Sequence, residues 1–239
     1  MKRRAKDPEY KFHWLRTVLV LTIVLATAGT ASAQIRNSKH DFSSSGNGGI
    51  WASQNINEIC IFCHIPHHAL STQYVWNRTL TQQDYLLYTS SSMKATPSQP
   101  TNVSRRCLSC HDGSTAVDAF NSGRGGPPQM MALGDVYYPG SPWGAGGANI
   151  GGNYKGNLNV NNLSDDHPVS FIFDAALAAK HDGDLQDPGK LAYPLPLYNN
   201  RLECPTCHEV HNSNTADGGK FFLRVTLDTS SLCRNCHLK

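Results

Sequence analysis

The sequence predicts a mostly irregular chain, coil with short helices and a few short strands, in which side chains alone do not build one large core. Three observations predict this. All eight cysteines fall into four C-x-x-C pairs, each followed directly by His. Twenty Gly and 13 Pro interrupt the 239 residues, so neither long amphipathic helices nor sustained strand alternation is visible. The apolar share is 39%, the charged share only 16% and the mean hydropathy −0.40. These values exclude a polytopic membrane protein, which needs several runs of about 20 apolar residues, and also a charged disordered tail.

Residues 1–33 have the order of a secretory signal peptide. Lys2, Arg3, Arg4, Lys6, Lys11 and Arg16 precede the apolar stretch Thr17 to Ala28, and Ala31-Ser32-Ala33 supplies the small residues of a cleavage site. A retained anchor would need about 20 apolar residues, more than this stretch holds. Cleavage after Ala33 leaves a domain of residues 34–239, secreted to the periplasm or the cell surface, with no stable membrane span. The leader takes with it six of the 21 Lys+Arg and two of the 18 Asp+Glu, leaving 15 against 16, so the formal charge of +3 becomes −1. The basic pI of 8.4 therefore reports the leader and gives no argument for nucleic acid binding.

The four motifs are Cys60/Cys63-His64, Cys107/Cys110-His111, Cys204/Cys207-His208 and Cys233/Cys236-His237. With 11 His in the chain, four such adjacencies arise by chance on the order of a few times in a million. A disulfide framework or a pair of four-thiolate zinc sites would use the Cys and leave every adjacent His without a role. A thioredoxin-type pair would explain one copy beside a βαβ unit, and none is visible. Covalent haem c uses all three residues: two thiols add to the porphyrin vinyl groups and the imidazole binds the iron. Cys60, Cys63, Cys107, Cys110, Cys204, Cys207, Cys233 and Cys236 are thus the expected attachment points of four haems, and His64, His111, His208 and His237 the first iron ligands. The expected architecture is a multihaem cytochrome c fold organised around four haems, whose broad apolar faces replace a core. The haem-free chain is expected to be largely unfolded.

Along the mature chain, Gln34 to Gly49 is Gly/Ser-rich and reads as an extended arm rather than a packed element. The first two motifs start 47 positions apart. Between them, Tyr74 to Arg78 reads either as ordinary aromatic packing or as a haem-contacting wall. Residues 113–162 are loop-like, with Gly at 11 of the 40 positions 121–160, and read as a segment wrapping the haems, a subunit contact or a linker between two halves. Val169 to Phe173 reads as a short strand, Asp174 to Lys180 as a helix with an Asp cap, and Phe221 to Leu227 as another strand. The last two motifs start 29 positions apart. Motifs one and three share the longer pattern C-x-x-C-H-x-x-H, ending at His67 and His211, which suggests a second imidazole directed at a neighbouring haem.

Six His remain in the mature chain for the four opposite faces: His40, His67, His68, His167, His181 and His211. That supply favours bis-His iron over Met ligation, for which only Met93, Met130 and Met131 survive processing. The expected ligands are His40, His67, His167 and His211, with His181 the alternative to His40 and His68 the alternative to His67.

On these residues the chain resembles multihaem c-type cytochromes, and more narrowly the extracellular, filament-forming tetrahaem cytochromes of metal-reducing bacteria, the OmcE-like family. The likeness is carried by Cys60-Ile-Phe-Cys63-His64-Ile-Pro-His67, Trp76-Asn77-Arg78, Cys107-Leu-Ser-Cys110-His111-Asp112-Gly113, Asp166-His167-Pro168-Val169 and Cys204 to His211. It implies bis-His haems stacked in a continuous chain, copies of the protein as partners in an electron-conducting filament, and a His of one subunit completing a haem of the next. His40 on the arm is the candidate for that shared ligand. The expected function is electron transfer outside the cytoplasm to redox partner cytochromes or extracellular acceptors, without enzymatic turnover. Two alternatives are a membrane-anchored tetrahaem quinol dehydrogenase and a multihaem reductase with one open iron site. Eight ionised propionates would carry the mature charge from −1 to about −9, favouring basic partners.

Overall fold

The computed structural model describes residues 35–46, 56–65, 75–112, 161–211 and 222–238. The chain divides into the units Met1–Ala33 and Gln34–Lys239, and every described residue belongs to the second. The leader, Tyr74, His67, His68 and residues 113–160 lie outside the described residues.

Four helices are described: α1 (Asn102–His111), α2 (Ala175–Ala179), α3 (Cys204–Cys207) and α4 (Ser231–Cys236), with single 3-10 turns at Cys60–Phe62, Pro188–Lys190 and Asp228–Ser230. Each motif therefore sits on or at the end of a helical turn. Thr101 starts α1, its hydroxyl accepting from Val103 N at 3.2 Å. Asp174 caps α2 by accepting from Leu177 N at 2.8 Å, as its place before Ala-Ala-Leu predicts.

Strands are two residues long. β1 (Leu86–Leu87) runs parallel to β2 (Asn162–Leu163), and β3 (Phe171–Ile172) runs antiparallel to β4 (Arg201–Leu202), with Phe171 opposite Leu202. β3 is shorter than Val169 to Phe173 because Ser170 takes φ 60°, outside the extended region. The chain enters β4 through a two-residue turn at Asn199 and Asn200, both at positive φ, closed by reciprocal 3.0 Å hydrogen bonds between Tyr198 and Arg201. Of the strand expected over Phe221 to Leu227, the described residues 222–227 form none. Phe222 has φ 56°, which breaks the extended run, and only Leu223 makes a bridge, to His208.

The arm also departs from expectation: residues 35–46 fold into packed turns. Asp41 and Ser43 are fully buried, and the Asp41 carboxylate accepts from Asn37 N at 2.7 Å and from the Ser43 hydroxyl at 2.6 Å. A Cβ at Gly46 would fall on that carboxyl group, so only Gly fits there. Ser44 N donates to Ile56 O at 2.7 Å and Phe42 packs edge-on to Phe62. Polar composition misled here because the Ser and Asp side chains satisfy the loop's own backbone, which lets it bury.

Among the described residues, buried apolar side chains form three small clusters. Ile56 and Phe62 make one with Phe42 and Cys63 against it; Tyr85, Leu108 and Leu163 make the second; Phe171, Phe173, Leu177 and Leu202 make the third, with Cys236 against it. Motifs one, two and four thus each rest on a separate cluster. Among the described residues no helix is long and apolar enough to cross a membrane.

Candidate haem centres

The motifs share a local geometry. The backbone N–H of His64 donates to Cys60 O at 2.8 Å, that of His208 to Cys204 O at 3.2 Å and that of His237 to Cys233 O at 2.8 Å. One closed turn puts residues three apart on the same face, which is where two thiols must lie to reach one porphyrin edge. The backbone then straightens, with ψ 140° at His208 and 122° at His237, turning the chain away directly after each motif His. In the second motif the same turn ends α1, and Asp112 N donates to Leu108 O at 2.9 Å.

Three motif imidazoles each lie near one non-motif imidazole, while His40 also stacks on Phe222 at 4.8 Å. His64 and His211 have ring centroids 5.9 Å apart, His111 and His40 6.0 Å, and His237 and His167 6.4 Å. Two imidazoles bound to opposite faces of one metal, with bonds of about 2.0–2.1 Å and ring centres about 1.1 Å beyond the nitrogens, have centroids about 6.2–6.4 Å apart. Ordinary ring packing spans the same range. What distinguishes these contacts is their membership, since each joins one motif His to one His chosen independently as an opposite-face ligand.

Two of the non-motif imidazoles have an oxygen partner at Nδ1. His167 Nδ1 lies 2.9 Å from Pro168 O, and a carbonyl only accepts, so Nδ1 carries the hydrogen and Nε2 is left with its lone pair. His211 Nδ1 lies 3.4 Å from Glu209 Oε1, and Glu209 is itself paired with Arg224 at 2.8 Å. Burial, aided by the nearby His111, His208 and His211, lowers the His40 pKa to about 4, keeping it in the neutral form a metal requires. His237 is lowered by burial and by His167 and His181. His181 therefore lies near the fourth motif, where His167 already faces His237, and His40 is the one beside His111.

No protein-family model and no curated protein matches the chain. The residues themselves then carry the argument about the donor set. All eight thiols are free, with no disulfide among them. Burial, with Cys110 adding to it, pushes the Cys63 thiol up to about 12; burial, with Cys207 and Cys233, pushes Cys236 up to about 11. The Cys107 and Cys204 thiols are hydrogen-bonded to each other, which raises Cys107 and lowers Cys204. Among the described residues no three His, Cys, Asp or Glu side chains converge as a protein-only metal site would need. What the described residues present instead are pairs of imidazoles. Among the described residues the buried Trp76 Nε1 finds no hydrogen-bond partner, and its ring lies edge-on to His64 at 5.6 Å, a donor of the kind that a haem propionate would satisfy.

The Trp76-Asn77-Arg78 run, expected to be aromatic packing or a haem-contacting wall, makes backbone ties, whereas type and spacing did not single out Glu203 and Glu209. Asn77 N donates to Cys63 O at 2.9 Å and its amide to Ile61 O, while Arg78, 1% exposed, donates to Ser109 O at 3.0 Å. The Trp76-Asn77-Arg78 run is thus a strap from the first motif to the second. Glu203, 1% exposed, joins α1 to α3. Only the adjacency of Glu203 to Cys204 and of Glu209 to His211 could have pointed to them.

Proposed function

We propose that this protein is an exported electron carrier holding four covalent c-type haems, each iron bound by two His. The observation that carries the reading is the set of three pairs, His64 with His211, His111 with His40 and His237 with His167. The fourth pair follows from the shared C-x-x-C-H-x-x-H pattern: the trailing His211 of motif three faces the first motif, so the trailing His67 of motif one is assigned to His208. Haem iron, when bound, supplies the one-electron couple. The chain's part is to hold two imidazoles on each iron, which leaves no open position for substrate and makes turnover chemistry a poor fit. Burial that keeps His40 neutral and the Pro168 carbonyl that fixes the His167 tautomer serve the same end.

The filament reading rests on the resemblance and takes a specific form here. His40 stands against His111 of its own chain, so a ligand shared between copies requires the 35–46 arm to exchange, forming the same pair across a junction. Secretion after cleavage at Ala33 places such a filament outside the cytoplasm, with basic redox proteins or extracellular acceptors as partners.

The test is the absorption spectrum of the purified protein with and without carbon monoxide. Low-spin ferric haem and no carbon monoxide complex in the reduced form support the carrier; a high-spin band or a carbon monoxide complex at one haem supports a reductase. Electron micrographs of wild type and His40→Ala test the filament: shortened or absent polymers are expected in the variant, and unchanged polymers reject His40 as the shared ligand.

A further inference from the structure

A carboxylate lies buried between the second and third attachment sites without a cation. Glu203 precedes Cys204 and is 1% exposed. Three hydroxyls surround it: Thr101 Oγ1 at 2.8 Å, Ser170 Oγ at 2.7 Å and Ser104 Oγ. Each hydroxyl also accepts one backbone N–H, Thr101 Oγ1 from Val103 N, Ser170 Oγ from Thr101 N and Ser104 Oγ from Cys204 N, which leaves its own hydrogen available to Glu203. Three hydroxyl donors are thus placed around the two carboxyl oxygens. No ion pair to Glu203 forms among the described residues, and the nearby Arg201 guanidinium goes instead to Ser170 O at 2.7 Å and Ser98 Oγ at 3.3 Å.

The donors belong to both sides of one junction. Thr101 and Ser104 open α1, which carries Cys107 to His111; Glu203 opens α3, which carries Cys204 to His208. The thiols Cys107 and Cys204 touch across it.

We propose that Glu203 is a fixed buried anion that holds the midpoint potentials of the second and third haems below those they would have without it. The inference rests on the four-haem reading above. An iron that gains an electron becomes one unit less positive, and a negative charge in a low-dielectric junction opposes that gain. Arg201, one strand position pair away and donating to the same Ser170, partly offsets the anion. Removing Glu203 and removing Arg201 therefore move the potentials in opposite directions, which loss of structure does not do.

The experiment is a spectroelectrochemical titration of the full haem-loaded protein as wild type, Glu203→Gln, Glu203→Asp and Arg201→Gln, with haem counted by mass in each. Glu203→Gln is expected to shift the part of the curve belonging to two of the four haems to more positive potential. Glu203→Asp is expected to overlie the wild type, and Arg201→Gln to shift the same part to more negative potential. Superimposed curves for Glu203→Gln and wild type, or shifts of equal sign in Glu203→Gln and Arg201→Gln, overturn the inference while leaving the carrier reading intact. If Glu203→Gln does not load its haems, the uncharged Glu203→Met decides in its place: a positive shift supports the buried anion, and no shift or a negative one rejects it. A wild-type chain without haem rejects the carrier reading instead.

Discussion

The imidazoles of His64 and His211 lie stacked, their centroids 5.9 Å apart and their planes 24° apart, although one belongs to the first haem motif and the other trails the third. Two segments of the same eight-residue pattern are thereby tied across the molecule. His211→Ala removes one imidazole of this pair and none of the thiols. Four covalent haems should remain by mass, while one haem equivalent per chain becomes high-spin in the ferric state and binds carbon monoxide in the ferrous state. A wholly low-spin His211→Ala spectrum would assign His211 no iron.

His40 and His181 were competing candidates for one ligand, and their surroundings separate them. His40 stands 6.0 Å from His111, while His181 lies near His237, which already faces His167. His40→Ala is expected to open one iron as His211→Ala does, and His181→Ala to leave every iron six-coordinate. Electron paramagnetic resonance of the two ferric variants reads the difference, and the reverse pattern would exchange the two assignments.

Asp41 couples the seat of His40 to pH. Burial alone would raise its carboxyl group, but the Ser43 hydroxyl and the N–H groups of Asn37 and Ser43 outweigh burial and hold it below its ordinary 3.8. A depressed carboxylate contributes stability that is complete above its unfolded value and lost as the pH falls through the folded one. Asp41→Asn should therefore cost about 1.5–3 kcal/mol at neutral pH, measured by denaturant unfolding, and nothing once the pH is below the folded value. A cost unchanged on acidification would show that the charge is not what holds the turn.

The strap from motif one to motif two makes Asn77 a structural residue. Its amide reaches Ile61 O and its backbone N–H reaches Cys63 O, with the residue fully buried. Asn77→Ala should lower stability by about 1–3 kcal/mol, since a buried carbonyl loses its donor, without changing the haem count. A thermal melt alongside an intact mass checks both halves of that statement.

The turn at the C-x-x-C-H segments was legible because it is local: Cys60 to His64, Cys204 to His208 and Cys233 to His237 each close it with one backbone hydrogen bond. The Asp174 cap was legible for the same reason. What was not legible is whatever depends on distant partners. The arm around Asp41 reads as polar and extended, yet buries because its side chains satisfy its own backbone. Phe222 and Leu223 have strand-forming side chains, but the positive φ of Phe222 is imposed by the connections of Glu209 and Arg224 to the third motif. Glu203 looks like any surface acid until the hydroxyls of Thr101, Ser104 and Ser170 are brought around it. The Asn199-Asn200 turn carried a recognisable signal, two residues tolerant of positive φ between strand-like neighbours, that composition alone passes over.

The central claim is four thioether-bound haems on an exported chain, and the intact mass of the secreted protein tests it most directly. The account predicts a chain beginning at Gln34 that carries four haem increments surviving denaturation. A mass equal to the bare polypeptide, or one carrying zinc lost on denaturation, would contradict it.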